Sequence, residues 1–281
     1  MEQWYRRDGA LLRELKELHP AEGAAVWYLG QCGFAVRCGE TLALIDPVLN
    51  DLCDAEGRSS RLYPPPFAPE ELRADLVLCT HGHADHMAVP TLLGLRRANP
   101  ALRIILPSGC VTSAVRAGLT EDSLLPLTPG GTLQACGLTV RAFSAAHPTH
   151  IDDPADESMA LGYAVSMGGL LLAHTGDTLL TDRLVRELEA LGPIDLLLPP
   201  VNGDDIFRRQ RDVIGNMSCE QAAALAVAVD AGLTVPTHYD MFAGNTADPL
   251  RFGRELRRLK PNARWQLPAL GECMLLRPCG V

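Results

Sequence analysis

The chain has 281 residues, 47% of them apolar and 21% charged, with a formal net charge of −9 at pH 7. This balance excludes a disordered chain and allows a sizeable core. The acidic surplus disfavours a general nucleic-acid-binding surface, so the expected partner is a small molecule and not long nucleic acid.

The first stretch, MEQWYRRDGALLRELKELHP, has the pattern of an amphipathic helix and not of a signal peptide. It reads as a helical extension at about 1–20, in which Trp4, Leu11, Leu12, Leu15 and Leu18 suit core or subunit contact, so a homo-oligomer is compatible with the sequence. No apolar run approaches the roughly 20 residues that span a bilayer, so a cytoplasmic protein without membrane contact is expected. Short apolar runs bounded by Gly or Pro predict strands at 24–29, 33–37, 41–45, 75–79 and 102–106. Further strands are expected at 137–143, 161–166, 170–174, 195–198 and 233–236.

Helices fall between them. Apolar residues at Leu184, Val185, Leu188 and Leu191 give helical spacing over 181–191. Ser218 followed by Gln221 is a capping-box signature that opens an Ala-rich run to Ala231, with Gly232 as its stop. Asp248 and Pro249 read as the start of a last helix, LRFGRELRRLK. No Ser-, Gln- or charge-rich linker divides the chain, so one domain over 1–281 is expected, with helices on the outer faces of sheets. Nine cysteines lie scattered without a C-x-x-C pair, which argues for free thiols over a disulfide framework or a cysteine metal site.

The chemistry concentrates in THGHADH, residues 80–86, directly after the apolar run DLVLC. Alternate side chains of an extended backbone point the same way, so His81 and His83 can converge on one ion, and Gly82 leaves room for it. Asp85 and His86 lie beyond the turn and can begin a second site. Imidazole and carboxylate are ligands of borderline divalent ions such as Zn²⁺, Mn²⁺ and Fe²⁺.

H-x-H-x-D-H after an apolar strand resembles the metal signature of the metallo-β-lactamase superfamily. That resemblance implies an α/β (α+β) fold, a four-layer αββα sandwich with a dinuclear centre at one edge. It also implies three more ligands: His147 in RAFSAAH, Asp177 in LLLAHTGD and His238 in VPTHYDMF. One ion then takes His81, His83 and His147; the other takes Asp85, His86 and His238; Asp177 bridges them. A bridging carboxylate offsets the repulsion of two dications about 3.5–4 Å apart. His150, in the same loop, is the alternative to His147, which directly ends its strand. His174 reads as a strand or supporting residue and His19 as a surface one.

VWYLGQCGFAVR at 26–37, CTHGHADHMAV at 79–89, LAHTGDT at 172–178 and VPTHYDMFAGNTADP at 235–249 together resemble the L-ascorbate-6-phosphate lactonase branch. The similarity runs from about residue 24 to 260. This chain departs from that lactonase by a compressed segment between 46 and 75, and by a histidine at position 147. The resemblance implies a metal-dependent hydrolase that uses a metal-bound hydroxide on a small anionic lactone or ester, a sugar-acid lactone such as L-ascorbate 6-phosphate. Asp85, His86 and Asp177 are the implied catalytic positions, with Asp85 orienting the nucleophile or shuttling a proton. One or two divalent ions are required; five histidines and two carboxylates suit Zn²⁺, the lactonase resemblance suggests Mn²⁺, and Fe²⁺ also fits.

The stretch VNGDDIFRRQRDVIGN at 201–216 offers Arg208, Arg209 and Arg211 to an anionic group, or forms a solvated charged helix. Asn202, Asn216 and Tyr239 are candidates to line the cavity; Tyr239 would donate to an oxyanion or merely pack. Competing readings are a phosphodiesterase or nuclease with the same dinuclear site, an oxygen- or nitric-oxide-reducing di-iron enzyme, and an inactive metal-stabilised scaffold. The di-iron branch favours a carboxylate at the position of His83.

Overall fold

The computed structural model describes residues 5–53, 56–147, 158–211 and 213–278; Trp4 and His150 lie outside them. Among these residues the strands are β1 (Ala24–Gly30), β2 (Gly33–Cys38), β3 (Thr41–Ile45), β4 (Leu76–Leu78), β5 (Arg103–Pro107), β6 (Leu124–Leu127), β7 (Thr132–Ala135), β8 (Leu138–Ser144), β9 (Leu161–Met167), β10 (Leu170–His174), β11 (Leu196–Leu198), β12 (Leu233–Thr234) and β13 (Cys273–Leu276). They form two sheets, in the order β13-β1-β2-β3-β4-β5-β6 and β12-β11-β10-β9-β8-β7.

The sheets pack face to face. Phe34, Ile45, Leu78 and Ile105, on one face of the first, share one buried cluster with Val140, Val165, Leu172 and Leu198 of the second. Alternation along the strands sends their neighbours outward. Ala164, Ala173 and Leu197 therefore meet Leu184 and Leu188 of helix Asp182–Glu189, Leu225 of helix Cys219–Ala228 and Phe252 of helix Pro249–Leu259. Leu11 and Leu15 of the N-terminal helix Asp8–Glu17 and Leu92 and Leu95 of helix Val89–Ala98 pack into the first sheet's cluster. The result is the expected helix–sheet–sheet–helix layering, and no described helix is long and apolar enough to cross a membrane.

Every predicted strand is present, within a residue or two at its ends. The Ala-rich helix stops at Ala228, three residues before the expected limit, because Asp230 already takes φ 50°. The structure adds the strands β6, β7 and β13 and the helices Val89–Ala98 and Val111–Arg116. Pro126 interrupts the apolar pattern of β6 and is tolerated because β6 is an edge strand. Cys136 and Gly137, both at positive φ, form the two-residue turn from β7 to β8. Helix Val89–Ala98 carries Pro90 in its first turn, and Gly94, which looks like a helix breaker, lets the helix approach Pro69.

Gly253 shows how tightly the outer layer is packed. It lies within a helix, where alanine is normally better by about 1 kcal/mol. A Cβ there would stand 1.9 Å from the Trp265 ring. Gly253→Ala is therefore expected to destabilise the fold by about 1–3 kcal/mol, read as a lower urea midpoint; an unchanged or higher midpoint would show that the ring moves aside freely.

Candidate metal centre

The polar side chains collect at one edge, where strands end. Asp46 follows β3, His81 to His86 follow β4, His147 follows β8, Asp177 follows β10 and His238 follows β12. The tip of the β1–β2 hairpin, Gln31 and Cys32, enters from the side and is fully buried. Gln31, Asp46 and His238 all adopt the left-handed backbone region, with φ of 57°, 43° and 60°. Such conformations cost about 1–3 kcal/mol each and persist only where surrounding contacts enforce them. Here the His238 N–H donates to the Gln31 carbonyl at 2.9 Å, the Gln31 N–H donates to Asp240 Oδ1 at 3.0 Å, and Tyr28 and Tyr63 hydroxyls hold Asp240 at 2.8 Å each.

Two groups of donor atoms result. In the first, His81 Nε2 lies 2.9 Å from His83 Nδ1, and His147 Nε2 lies 3.2 Å from the same atom. In the second, Asp85 Oδ2 is 3.5 Å from both His86 Nε2 and His238 Nε2. Asp177 sits between them: Oδ1 is 3.4 Å from His86 Nε2, while Oδ2 is 3.2 Å from His238 Nε2 and 3.9 Å from His147 Nε2. All seven residues expected as ligands are thus brought together.

Supporting residues fix their directions. His86 Nδ1 donates to Asp46 Oδ2 at 2.7 Å, and Asp46 also accepts the Thr80 N–H at 2.8 Å and the Thr80 hydroxyl at 2.6 Å. This carboxylate–histidine pairing leaves His86 Nε2 as the atom directed at the cluster. Gln31 Nε2 donates to Asp85 Oδ2 at 2.9 Å. His174 bridges the Cys32 carbonyl and the Gly176 N–H, both at 3.0 Å, which ties the hairpin tip to the turn carrying Asp177. His19 is exposed and remote.

The two groups differ in charge. Burial pushes His81, His83 and His147 down, His147 to about 4, so the first group is neutral near pH 7. Burial opposes protonation of His238 and His86 too, but the Asp177 and Asp85 carboxylates outweigh it, and His238 is pushed up to about 9. Conversely, burial would raise Asp85 and Asp177, yet the His86 and His238 charges hold both well below the usual carboxylate range.

The donor set fits divalent cations. His83 Nδ1 faces both His81 Nε2 at 2.9 Å and His147 Nε2 at 3.2 Å, and as part of a neutral ring it offers only one N–H or one lone pair, so it cannot bond both well. His86 Nε2 is buried and has no hydrogen-bond partner. A cation relieves both defects, and the sets His81, His83, His147 and Asp85, His86, His238 with Asp177 between could hold one ion each.

A cavity of about 370 Å³ opens over this floor, within the range of small-molecule sites. Its walls are Arg211, Val213, Ile214, Phe242, Gly244 and Asn245. Of the residues expected to bind substrate, Arg211 alone is on this lining. Arg208 is tied to Asp205, Asn245 and the Thr246 carbonyl, and Arg209 pairs with Asp204 at the surface. Asn216 donates to Asn202, which donates to Asn245, both at 3.0 Å, so these two asparagines lie behind the wall and brace it. The Tyr239 ring stacks near Tyr28 instead of facing the cavity. Sequence reasoning missed Gln31, Cys32, Asp46 and the apolar wall; an aspartate directly after an apolar strand, as in TLALID, was the available signal for Asp46.

The family pattern described as the beta-lactamase superfamily domain matches residues 41–239. A UPF0173 metal-dependent hydrolase of Rubrobacter xylanophilus is 31% identical over 250 residues, covering 84% of this chain and 90% of that one. A UPF0173 metal-dependent hydrolase of Thermoplasma acidophilum is 27% identical over 230 residues, covering 81% and 88%. Igni18, a metallo hydrolase of Ignicoccus hospitalis, has a similar fold, with a TM-score of 0.67 at 22% identity over 89% of this chain and 97% of its own. With the histidine and aspartate cluster at its sheet edge, the chain belongs to the metallo-β-lactamase superfamily, as a metal-dependent hydrolase.

Proposed function

We propose that the chain hydrolyses a small anionic lactone or ester, of the class of sugar-acid lactones such as L-ascorbate 6-phosphate, with two divalent ions. The carrying observation is the small cavity itself. Its floor is the donor cluster, and Arg211 is the one arginine or lysine on its described lining. His81, His83 and His147 would hold one ion; Asp85, His86 and His238 the other; Asp177 both. When bound, the ions supply Lewis acidity and a water acidic enough to react near neutral pH.

The chain's own groups do the rest. Asp85 is held from behind by Gln31 and lies on the cavity lining, where its carboxylate can orient the attacking water and accept its proton. Arg211 donates to the Gly244 carbonyl at 2.8 Å and the Phe207 carbonyl at 3.2 Å, which fixes its guanidinium at the wall, in reach of a substrate carboxylate or phosphate. Val213, Ile214 and Phe242 exclude water from the opposite surface of the substrate.

The test is hydrolysis of a panel of sugar lactones, phosphodiesters and RNA by protein reconstituted separately with Mn²⁺, Zn²⁺ and Fe²⁺. Turnover of anionic lactones or esters above the others is expected. Phosphodiesters as the better substrates would favour the phosphodiesterase reading, and no turnover of any member with two ions bound would favour a scaffold. Arg211→Ala should raise KM for anionic substrates about 10–100-fold, the worth of a hydrogen bond to a charged group, and leave neutral analogues nearly unchanged. Equal effects on charged and neutral substrates would remove Arg211 from anion recognition.

A further inference from the structure

Hairpin tips normally lie in solvent, which satisfies their backbone groups. The β1–β2 tip does the reverse: Gln31 and Cys32 are both 0% exposed. Gly30 and Gln31 at positive φ turn the chain inward, and the bonds from His174 to the Cys32 carbonyl and from Gln31 to Asp240 hold it there. The side chain delivered by this arrangement is a thiol. Cys32 Sγ lies 3.9 Å from Asp177 Oδ1 and 3.6 Å from Thr237 Oγ1.

Cys32, His86, Asp177 and His238 each offer one donor atom, and the four atoms lie within 4.8 Å of one another. Tetrahedral zinc bonds of about 2.0–2.3 Å separate neighbouring ligand atoms by about 3.3–3.6 Å. Asp177 Oδ1 stands 3.4 Å from His86 Nε2, close to that, and 3.9 Å from Cys32 Sγ, a few tenths of an ångström beyond it, while His238 Nε2 meets the other Asp177 oxygen at 3.2 Å. His86 Nε2, fully buried and without a hydrogen bond, is directed into this same group.

We propose that Cys32 is a sulfur ligand of the ion held by His86, Asp177 and His238, an assignment that rests on the two-ion reading above. The thiol proton leaves to solvent as the sulfur lone pair goes to the ion, with no change of oxidation state. A soft donor at this position favours Zn²⁺ or Fe²⁺ over Mn²⁺.

X-ray absorption at the zinc edge tests this on the full chain loaded with two equivalents of Zn²⁺. The expected result is one sulfur per two zincs at about 2.3 Å. It should persist in a Cys53→Ser/Cys136→Ser variant, which lacks the two thiols that are exposed among the described residues, and vanish in Cys32→Ser. Only nitrogen and oxygen neighbours in the wild type with two zincs bound, or a sulfur shell that survives Cys32→Ser, would overturn the assignment. A single bound zinc would instead defeat the two-ion reading; one sulfur per zinc would then still assign Cys32, and no sulfur in a His81→Ala/His83→Ala variant, whose zinc is left only the other position, would overturn it. The wild-type and double-variant spectra suffice should Cys32→Ser fail to fold.

Discussion

Replacing Asp177 by alanine is expected to lower kcat/KM by about 10³-fold or more and to cost one of the two ions, read as metal content of the purified variant. Its two oxygens reach His86 on one side and His238 and His147 on the other, so this one side chain belongs to both groups. Unit charges 4 Å apart interact by about 4 kcal/mol at an effective dielectric of 20, and two dications repel about fourfold more strongly. A shared carboxylate is the group best placed to offset that repulsion. Asp85→Ala, by contrast, removes a ligand from one group only and should cost activity while leaving the His81, His83 and His147 ion bound. If Asp177→Ala keeps both ions and activity within a few-fold, the bridging role is wrong, and the circular dichroism of the variant would show whether the fold itself had changed.

How much of this was readable in advance depends on the range of the interaction involved. The ligand types at strand ends were legible because strand periodicity and side-chain chemistry are local, and His81 to His86 lie within six residues. The same locality hid Gln31, whose contacts with Asp85 and His238 span 54 and 207 positions. Cys32 was one thiol among nine until the hairpin tip was seen to be buried. Arg208, Arg209 and Arg211 look alike in sequence. The fold separates them, because Asp205 and Asp204 take the first two and leave Arg211 on the cavity wall. Edge strands escaped for a related reason: β7 is half exposed and β6 contains Pro126, so neither has the buried pattern that marks a central strand.

The second large effect concerns protons. Ion binding to His81, His83 and His147 should release almost no protons at pH 7, because burial keeps these imidazoles neutral, His147 titrating at about 4. Binding to the other group should release two, from His86 and His238, which the surrounding carboxylates keep protonated, His238 up to about 9. The Cys32 thiol would add a third, so Cys32→Ser isolates the imidazole pair. Calorimetry in buffers of different ionisation heat counts these protons directly. In that variant, affinity at the second position should rise by up to about 100-fold per pH unit between pH 7 and 9, while the first position stays flat. Stability of the metal-free chain should move the other way. The raised pKa of His238 stabilises the fold fully below the ordinary imidazole value of about 6.5 and loses that contribution as pH climbs through about 9. The depressed pKa of His147 acts in the opposite sense, removing stability as pH falls from about 6.5 toward 4. Equal proton release at both positions would mean that the two groups share their charge, and the division between a neutral and a cationic half of the centre would fail.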